Sequence, residues 1–321
     1  MVGFLLRRIG QALIVLFLVT VIVFVLLHML PGGIAHAVLG TKATPAQIAQ
    51  FNHENGYDLP LPIQYVHWIW QLLQGNFGYS YHLNQTVSSL INLYLPKTIL
   101  LNLIALVFSV VIAVPIGVNQ AVRRNGIFDY AATGIGFIFY STPIFFLASM
   151  FVLWFSLDAV HLPAEAPQVT STHLWGGLGE ILSQPSALIL PVAALVLLQI
   201  SLFTRYMRSA VMDNLVLDYV RTARAKGASE ARVLYRHVLR NSLIPMVTIL
   251  GLSLPGLLAG SLVIEQFFNY PGMGLLFYNE AMVDDYPVLL GITLVLGIAT
   301  VVGNLIADIA YAVLDPRVRI S

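Results

Sequence analysis

Six long stretches without a charged side chain limit what this chain can fold into more than any other feature. They run approximately Ile9 to Leu30, Thr98 to Val122, Tyr130 to Leu157, Ser186 to Phe203, Asn241 to Ile264 and Tyr286 to Ala307. A helix crossing a hydrocarbon core ~30 Å thick needs ~20 mostly apolar residues, because it rises ~1.5 Å per residue. The sequence therefore predicts an all-α membrane protein of six transmembrane helices. Composition agrees: 58% of the 321 residues are hydrophobic and 10% are charged, against about 25% charged in soluble domains. Much of that apolar surface must face lipid, and disorder is excluded because disordered chains lack aromatics and branched aliphatics. The first stretch exceeds the ~7–15-residue apolar region of a signal peptide and reads as a retained anchor. With no cysteine, disulfides, thiolate metal sites and a catalytic thiol are excluded together.

Basic loops stay cytoplasmic, so the positions of Lys and Arg set the orientation. With six spans and a cytoplasmic N-terminus, fourteen of the sixteen basic residues fall inside, leaving only Lys42 and Lys97 outside. Both termini are expected in the cytoplasm. Trp68, Trp70, Trp154 and Trp175 all lie in or beside outer segments, as an aromatic belt at one interface requires. Two non-membrane segments are long enough to hold structure within the single domain of residues 1–321. The extracytoplasmic region 31–97 contains the breakers Pro60 and Pro62 and an amphipathic stretch Ile63 to Leu73, which predicts short helices on the outer face. The inner loop 204–240 carries eight basic and three acidic residues. It reads as two short helices broken at Lys226-Gly227-Ala228-Ser229, where Gly227 ends one and Ser229 caps the next.

The common catalytic signatures are missing. There is no His-Glu-x-x-His helix, no Gly-x-Ser-x-Gly elbow and no phosphate loop, so no catalytic residue is assigned and ATP cannot be held through a P-loop. The histidines show no two-His spacing on one helix face, and no metal site is expected. Any coupling to ATP would come from another subunit, docking on the basic inner loop. On charge alone that loop is equally well a positive-inside topology signal.

The order of residues in the loop carries more. Asp218-Tyr219-Val220-Arg221-Thr222-Ala223-Arg224-Ala225-Lys226-Gly227, followed by His237 to Pro245, resembles the coupling loop of ABC importer permeases, in the variant of the dipeptide, oligopeptide and nickel permease family. The wider class has Glu-Ala-Ala where Arg221-Thr222-Ala223 stand here, with Gly227 kept, so a Glu-based contact with an ATPase is absent. Asn55 to Tyr65, Gly75 to Ser80, Tyr140 to Phe145, Glu265 to Gly274 and Asp315-Pro316-Arg317 are similar to the same family's first permease subunit, in the same order. The resemblance implies a type I ABC importer transmembrane domain in a bacterial or archaeal cytoplasmic membrane. It would work with a second permease, two ATPases that bind the ATP and magnesium, and an extracytoplasmic solute-binding protein. It further implies contact with the ATPase through Arg221, Thr222, Ala223, Arg224, Lys226, Gly227 and Ala228.

Within the spans, Asn102, Gln199, Asn304 and Asp308 are candidates for the translocation path, since polar groups at membrane depth are costly. Interhelical hydrogen bonding is the other reading for Asn102 and Gln199, and pairing with a cytoplasmic Arg is the other for Asp308. Glu265 is expected either to anchor the fold or to meet the binding protein. Peptide is preferred to nickel as cargo: His28, Met29, Met150, Met273 and Met282 share no gathering spacing. Ser109, Gly117, Thr133, Gly134, Gly136, Ser253, Gly256 and Gly260 offer the small, weakly polar lining a peptide path needs. A secondary transporter or channel would carry charge at mid-membrane, and an intramembrane enzyme would show a paired nucleophile and base. Neither is evident.

Overall fold

The computed structural model describes residues 2–30, 33–39, 43–158, 161–169, 174–259 and 261–314. A long helix α1 (Val2–His28) is followed by three short ones, α2 (Gly33–Leu39), α3 (Pro45–Glu54) and α4 (Leu61–Leu73). A small antiparallel ribbon comes next, β1 (Tyr79–Ser80) with β2 (Gln85–Thr86), pairing Tyr79 with Thr86. Then come α5 (Val87–Val122), α6 (Ile127–Ser141), α7 (Ile144–Phe151, prolonged by a wider π turn to Asp158), α8 (Leu174–Ser183) and α9 (Pro185–Leu215). The chain continues with α10 (Asp218–Ala225), α11 (Glu230–Arg232, prolonged to Val238), α12 (Leu239–Ala259), α13 (Leu262–Phe267), α14 (Met273–Met282) and α15 (Tyr286–Leu314). Apart from the ribbon, the described residues form no sheet, as the all-α expectation requires.

Local chemistry explains the element boundaries. Thr44 and Gln47 form a reciprocal capping box that starts α3, and the Thr86 hydroxyl accepts the Ser89 N–H at the start of α5, satisfying donors that a first turn leaves free. The amphipathic stretch expected between Pro62 and Leu73 is α4. It docks on α1 through the Tyr65 and Thr20 hydroxyls, 2.7 Å apart, and through Gln64, whose side chain meets His28 Nε2 at 2.7 Å.

Among the described residues, four helices are long and apolar enough to cross a membrane: Leu6–His28, Val87–Val122, Pro185–Leu215 and Tyr286–Ile309. The expected third span differs from a straight helix. Its halves, α6 and α7 with the π turn, bend by 103° at Thr142-Pro143, because proline supplies no N–H and its ring disfavours helical geometry in the residue before it. Taken as one broken span, the pair makes five. The stretch expected as the fifth span is divided between α12, 21 residues long, and the separate α13, with residue 260 between them outside the described residues.

The core follows from close helix contact. α5 and α9 form the most extensive contact in the molecule. Gly117 makes it possible: a Cβ there would stand 2.7 Å from the Met207 Cβ and 2.8 Å from the Thr204 carbonyl. One apolar cluster around Leu101, Ala105, Ile181 and Phe268 fills the half of the molecule near α8 and α13. A second, around Ala113, Val118, Phe203 and Met207, extends under the inner loop through Val220, Val233 and Val238. A third joins the start of α5 to α14 and α15 through Val87, Leu90, Met273 and Ile292.

Candidate functional site

The inner loop is built around one turn. α10 ends at Lys226, and Gly227 adopts φ +78°, the left-handed conformation that glycine reaches without steric cost. The Ala228 N–H donates to the Ala223 carbonyl at 3.2 Å and the Gly227 N–H to the Arg224 carbonyl at 2.9 Å, the paired bonds of a Schellman helix end. Two residues on, the Ser229 hydroxyl accepts the Arg232 N–H at 3.4 Å and opens α11. Across the turn the Arg224 guanidinium donates to both Glu230 oxygens, at 2.8 and 3.0 Å. These hydrogen bonds hold the Glu230 carboxyl below its usual range and push Arg224 up.

The underside of this turn is apolar. Val220, Val233 and Val238 are fully buried, and Ala223 and Ala228 pack against the same cluster as Met207 and Val211 of α9. The outer side presents Arg221, Thr222, Arg224, Lys226 and Gly227 to solvent. Arg221 approaches Asp218 only at 3.6 Å, and Lys226 makes no ion pair among the described residues. Packed side chains connect the base of the exposed turn to α5 and α9, through Ala113 and Val118 on one and Met207 and Val211 on the other. All seven residues expected at the ATPase contact sit on or beside this turn, with Ala223 and Ala228 in its base.

The residues expected along a path are not gathered. Asn102 is buried inside the chain and donates to the Thr98 carbonyl of its own helix at 2.8 Å. Gln199 is half-buried on α9, and its side-chain oxygen has no partner among the described residues. Asn304 and Asp308 line a cavity of about 170 Å³ with Arg8 and Gln11, and the Arg8 guanidinium lies 3.1 Å from the Asp308 carboxylate. Gly117, expected as path lining, is buried where α5 crosses α9, and Ser109, also buried, donates to the Ala105 carbonyl of its own helix at 2.6 Å. Gly260 lies outside the described residues. Glu265 is fully buried, accepting the Thr98 hydroxyl at 2.9 Å and the Gly274 N–H at 2.6 Å. It secures the first turn of α14, leaving no carboxylate surface for a docking partner.

One pair escaped the sequence reading. Asp129, buried at the start of α6, receives Arg208 Nε and Nη2 of α9 at 2.7 Å each. The signal was present, a carboxylate opening a span and an arginine nearly five turns beyond Pro191 on α9, but separate loops gave no reason to pair them.

Comparison with known proteins extends this picture over the whole chain. Residues 109–320 match the family described as "Binding-protein-dependent transport system inner membrane component", and residues 1–102 match its N-terminal companion. The chain is 37% identical over 320 residues to the oligopeptide transport system permease protein AppB of Bacillus subtilis (strain 168), covering 99% of this chain and 100% of that one. It is 33% identical over 336 residues to the dipeptide transport system permease protein DppB of Escherichia coli (strain K12), covering 99% of each.

Proposed function

Because this chain belongs to the family of binding-protein-dependent transport system inner membrane components, we propose that it is a permease subunit of an ATP-driven importer of short peptides. The observation that carries the reading is full-length similarity to two peptide permeases, joined to an exposed turn keyed into the helix core. The chain contributes half of a translocation path and has no catalytic role. A second permease subunit supplies the other half, two ATPase subunits bind ATP and magnesium, and an extracytoplasmic solute-binding protein delivers the peptide.

In this reading six segments cross the cytoplasmic membrane, with both termini inside. They are the four long helices, the bent α6–α7 pair, and α12, whose 21 residues span ~30 Å at ~1.5 Å per residue. The inner loop is the transmission. Closure of the ATPases on ATP moves the turn at Gly227, and the packed base under Val220 and Ala223 passes that motion to α5 and α9 as a rigid-body tilt. Arg221 and Lys226 meet acidic groups at the rim of the contact.

The test is purification of this chain from its native membrane, identification of the companions by mass spectrometry, and reconstitution of the complex into vesicles. A second permease, two P-loop ATPases and ATP-dependent peptide uptake are expected. A stable homo-oligomer without ATPases, or a complex that moves a nickel chelate and no peptide, overturns the proposal.

A further inference from the structure

Three metal-ligating side chains from distant parts of the sequence meet where the β1–β2 ribbon touches α14 and the start of α15. His82 Nδ1 lies 2.9 Å from Glu280 Oε2. The Ser80 hydroxyl donates to Asp285 Oδ2 at 2.5 Å, while the Val288 N–H reaches Asp285 Oδ1 at 3.4 Å. One ligand atom from each of His82, Glu280 and Asp285 falls within 4.8 Å of the other two. Zinc bonds of ~2.0–2.2 Å to imidazole nitrogen and carboxylate oxygen place neighbouring ligands ~3.3–3.5 Å apart in a tetrahedron, so small side-chain rotations close the trio on one ion.

Charge gives a second, independent argument. Glu280 and Asp285 are only 3% and 7% exposed, and among the described residues neither has a lysine or arginine within ion-pair distance. Two neighbouring carboxylates out of water carry a desolvation cost that calls for a compensating cation, and one exposed histidine cannot neutralise both. His82 is half-exposed, which leaves a route for an ion and room for a water as fourth ligand.

We propose that His82, Glu280 and Asp285 form a binding site for one divalent transition-metal ion of the zinc type, clasping the ribbon to α14 and α15. One nitrogen and two carboxylate oxygens suit zinc better than the all-oxygen shells of calcium or magnesium. The imidazole binds as the neutral tautomer through Nδ1, the ion replacing the proton in its contact with Glu280. Ser80 orients Asp285 from behind, as outer-shell hydrogen bonds do for ligating carboxylates. The site is structural and independent of what the chain transports.

The experiment uses the full chain in detergent, purified without a polyhistidine tag, stripped with a chelator and titrated with Zn²⁺ by calorimetry, with bound metal counted by mass spectrometry. One equivalent per chain is expected. His82→Ala should weaken binding at least ~10-fold, by analogy with the ~10–100-fold that even outer-shell changes cost. Asp285→Asn should weaken it further, and the remote exposed His53→Ala should leave it unchanged. Should Asp285→Asn fail to fold, His82→Ala decides alone, because its ring lies at the surface. Absence of a stoichiometric zinc ion, binding unaltered by His82→Ala, or preference for calcium over zinc each overturns the proposal.

Discussion

At Gly227 open space surrounds the position a Cβ would take, while φ stands at +78°, so backbone strain and not collision sets the cost of replacement. A left-handed residue with a Cβ costs ~1–2 kcal/mol, more for a β-branched one. Gly227→Val is expected to cut peptide uptake by reconstituted vesicles several-fold while membrane insertion persists, with Gly227→Ala less affected; undiminished uptake in the valine variant would make the turn a topology signal only. Asp308 illustrates a different residue-scale outcome. Its partner Arg8 is partly exposed, a setting in which ion pairs contribute ~0–1 kcal/mol. Asp308→Asn is therefore expected to leave uptake within about twofold of the parent, and a large loss would return Asp308 to the path. In the outer region, hydrogen bonding between His53 and Asp58 at 2.9 Å raises the histidine pKa above 6.5 and lowers the carboxyl below 3.8. The raised histidine stabilises below 6.5 and loses its contribution as pH rises through its folded value; the lowered carboxylate stabilises above 3.8 and loses its contribution as pH falls through its folded value. The pair is thus at full strength between those limits. In Asp58→Asn the His53 midpoint, followed by NMR titration, should drop toward 6.5.

Helices here are joined at a few buried polar points that apolar packing alone would leave free to slide. The Asp129–Arg208 fork fixes α6 against α9 with Asp129 buried and Arg208 largely so. Removing one partner of such a pair strands the other charge and costs ~3–5 kcal/mol. Arg208→Lys is expected to lower thermal stability measurably, since a point ammonium cannot reproduce the two parallel bonds; an unchanged melting curve would reduce the fork to decoration. The Glu265 knot does the same for α13, α14 and α5. Its oxygens receive Thr98, Gly274 and Leu275, and any side chain at Gly272 would overlap the carboxylate. The sequence run Glu265 to Gly274 thus encodes a carboxylate, the helix N-terminus that receives it, and the glycine that lets them meet.

For the molecule as a whole, the absence of cysteine makes orientation directly measurable. Single replacements Lys226→Cys and Trp70→Cys, both at exposed positions, should react with an impermeant maleimide from opposite sides of sealed vesicles. Labelling of both from one side would break the proposed topology. The isolated chain should also show no nucleotide binding in a fluorescence titration, because it has no phosphate loop.

Residue order by itself determined the class of solvent, the helical character and the loop turn. Those properties rest on short-range physics: ~20-residue apolar runs, a glycine permitted at positive φ and a serine oxygen capping the next helix. Gly227 and Ser229 were legible for that reason. Tertiary structure alone decided which polar residues meet. Asp129 and Arg208 are 79 positions apart, and His82 is 198 from Glu280. No local periodicity couples such positions, so histidine spacing along a helix face gives no sign of a trio assembled from a ribbon and two helix ends. The same holds for Gly117, which resembles path lining in sequence but is consumed by the α5–α9 crossing. A small side chain lets helices approach as readily as it lines an opening, and only the packing partner distinguishes the two.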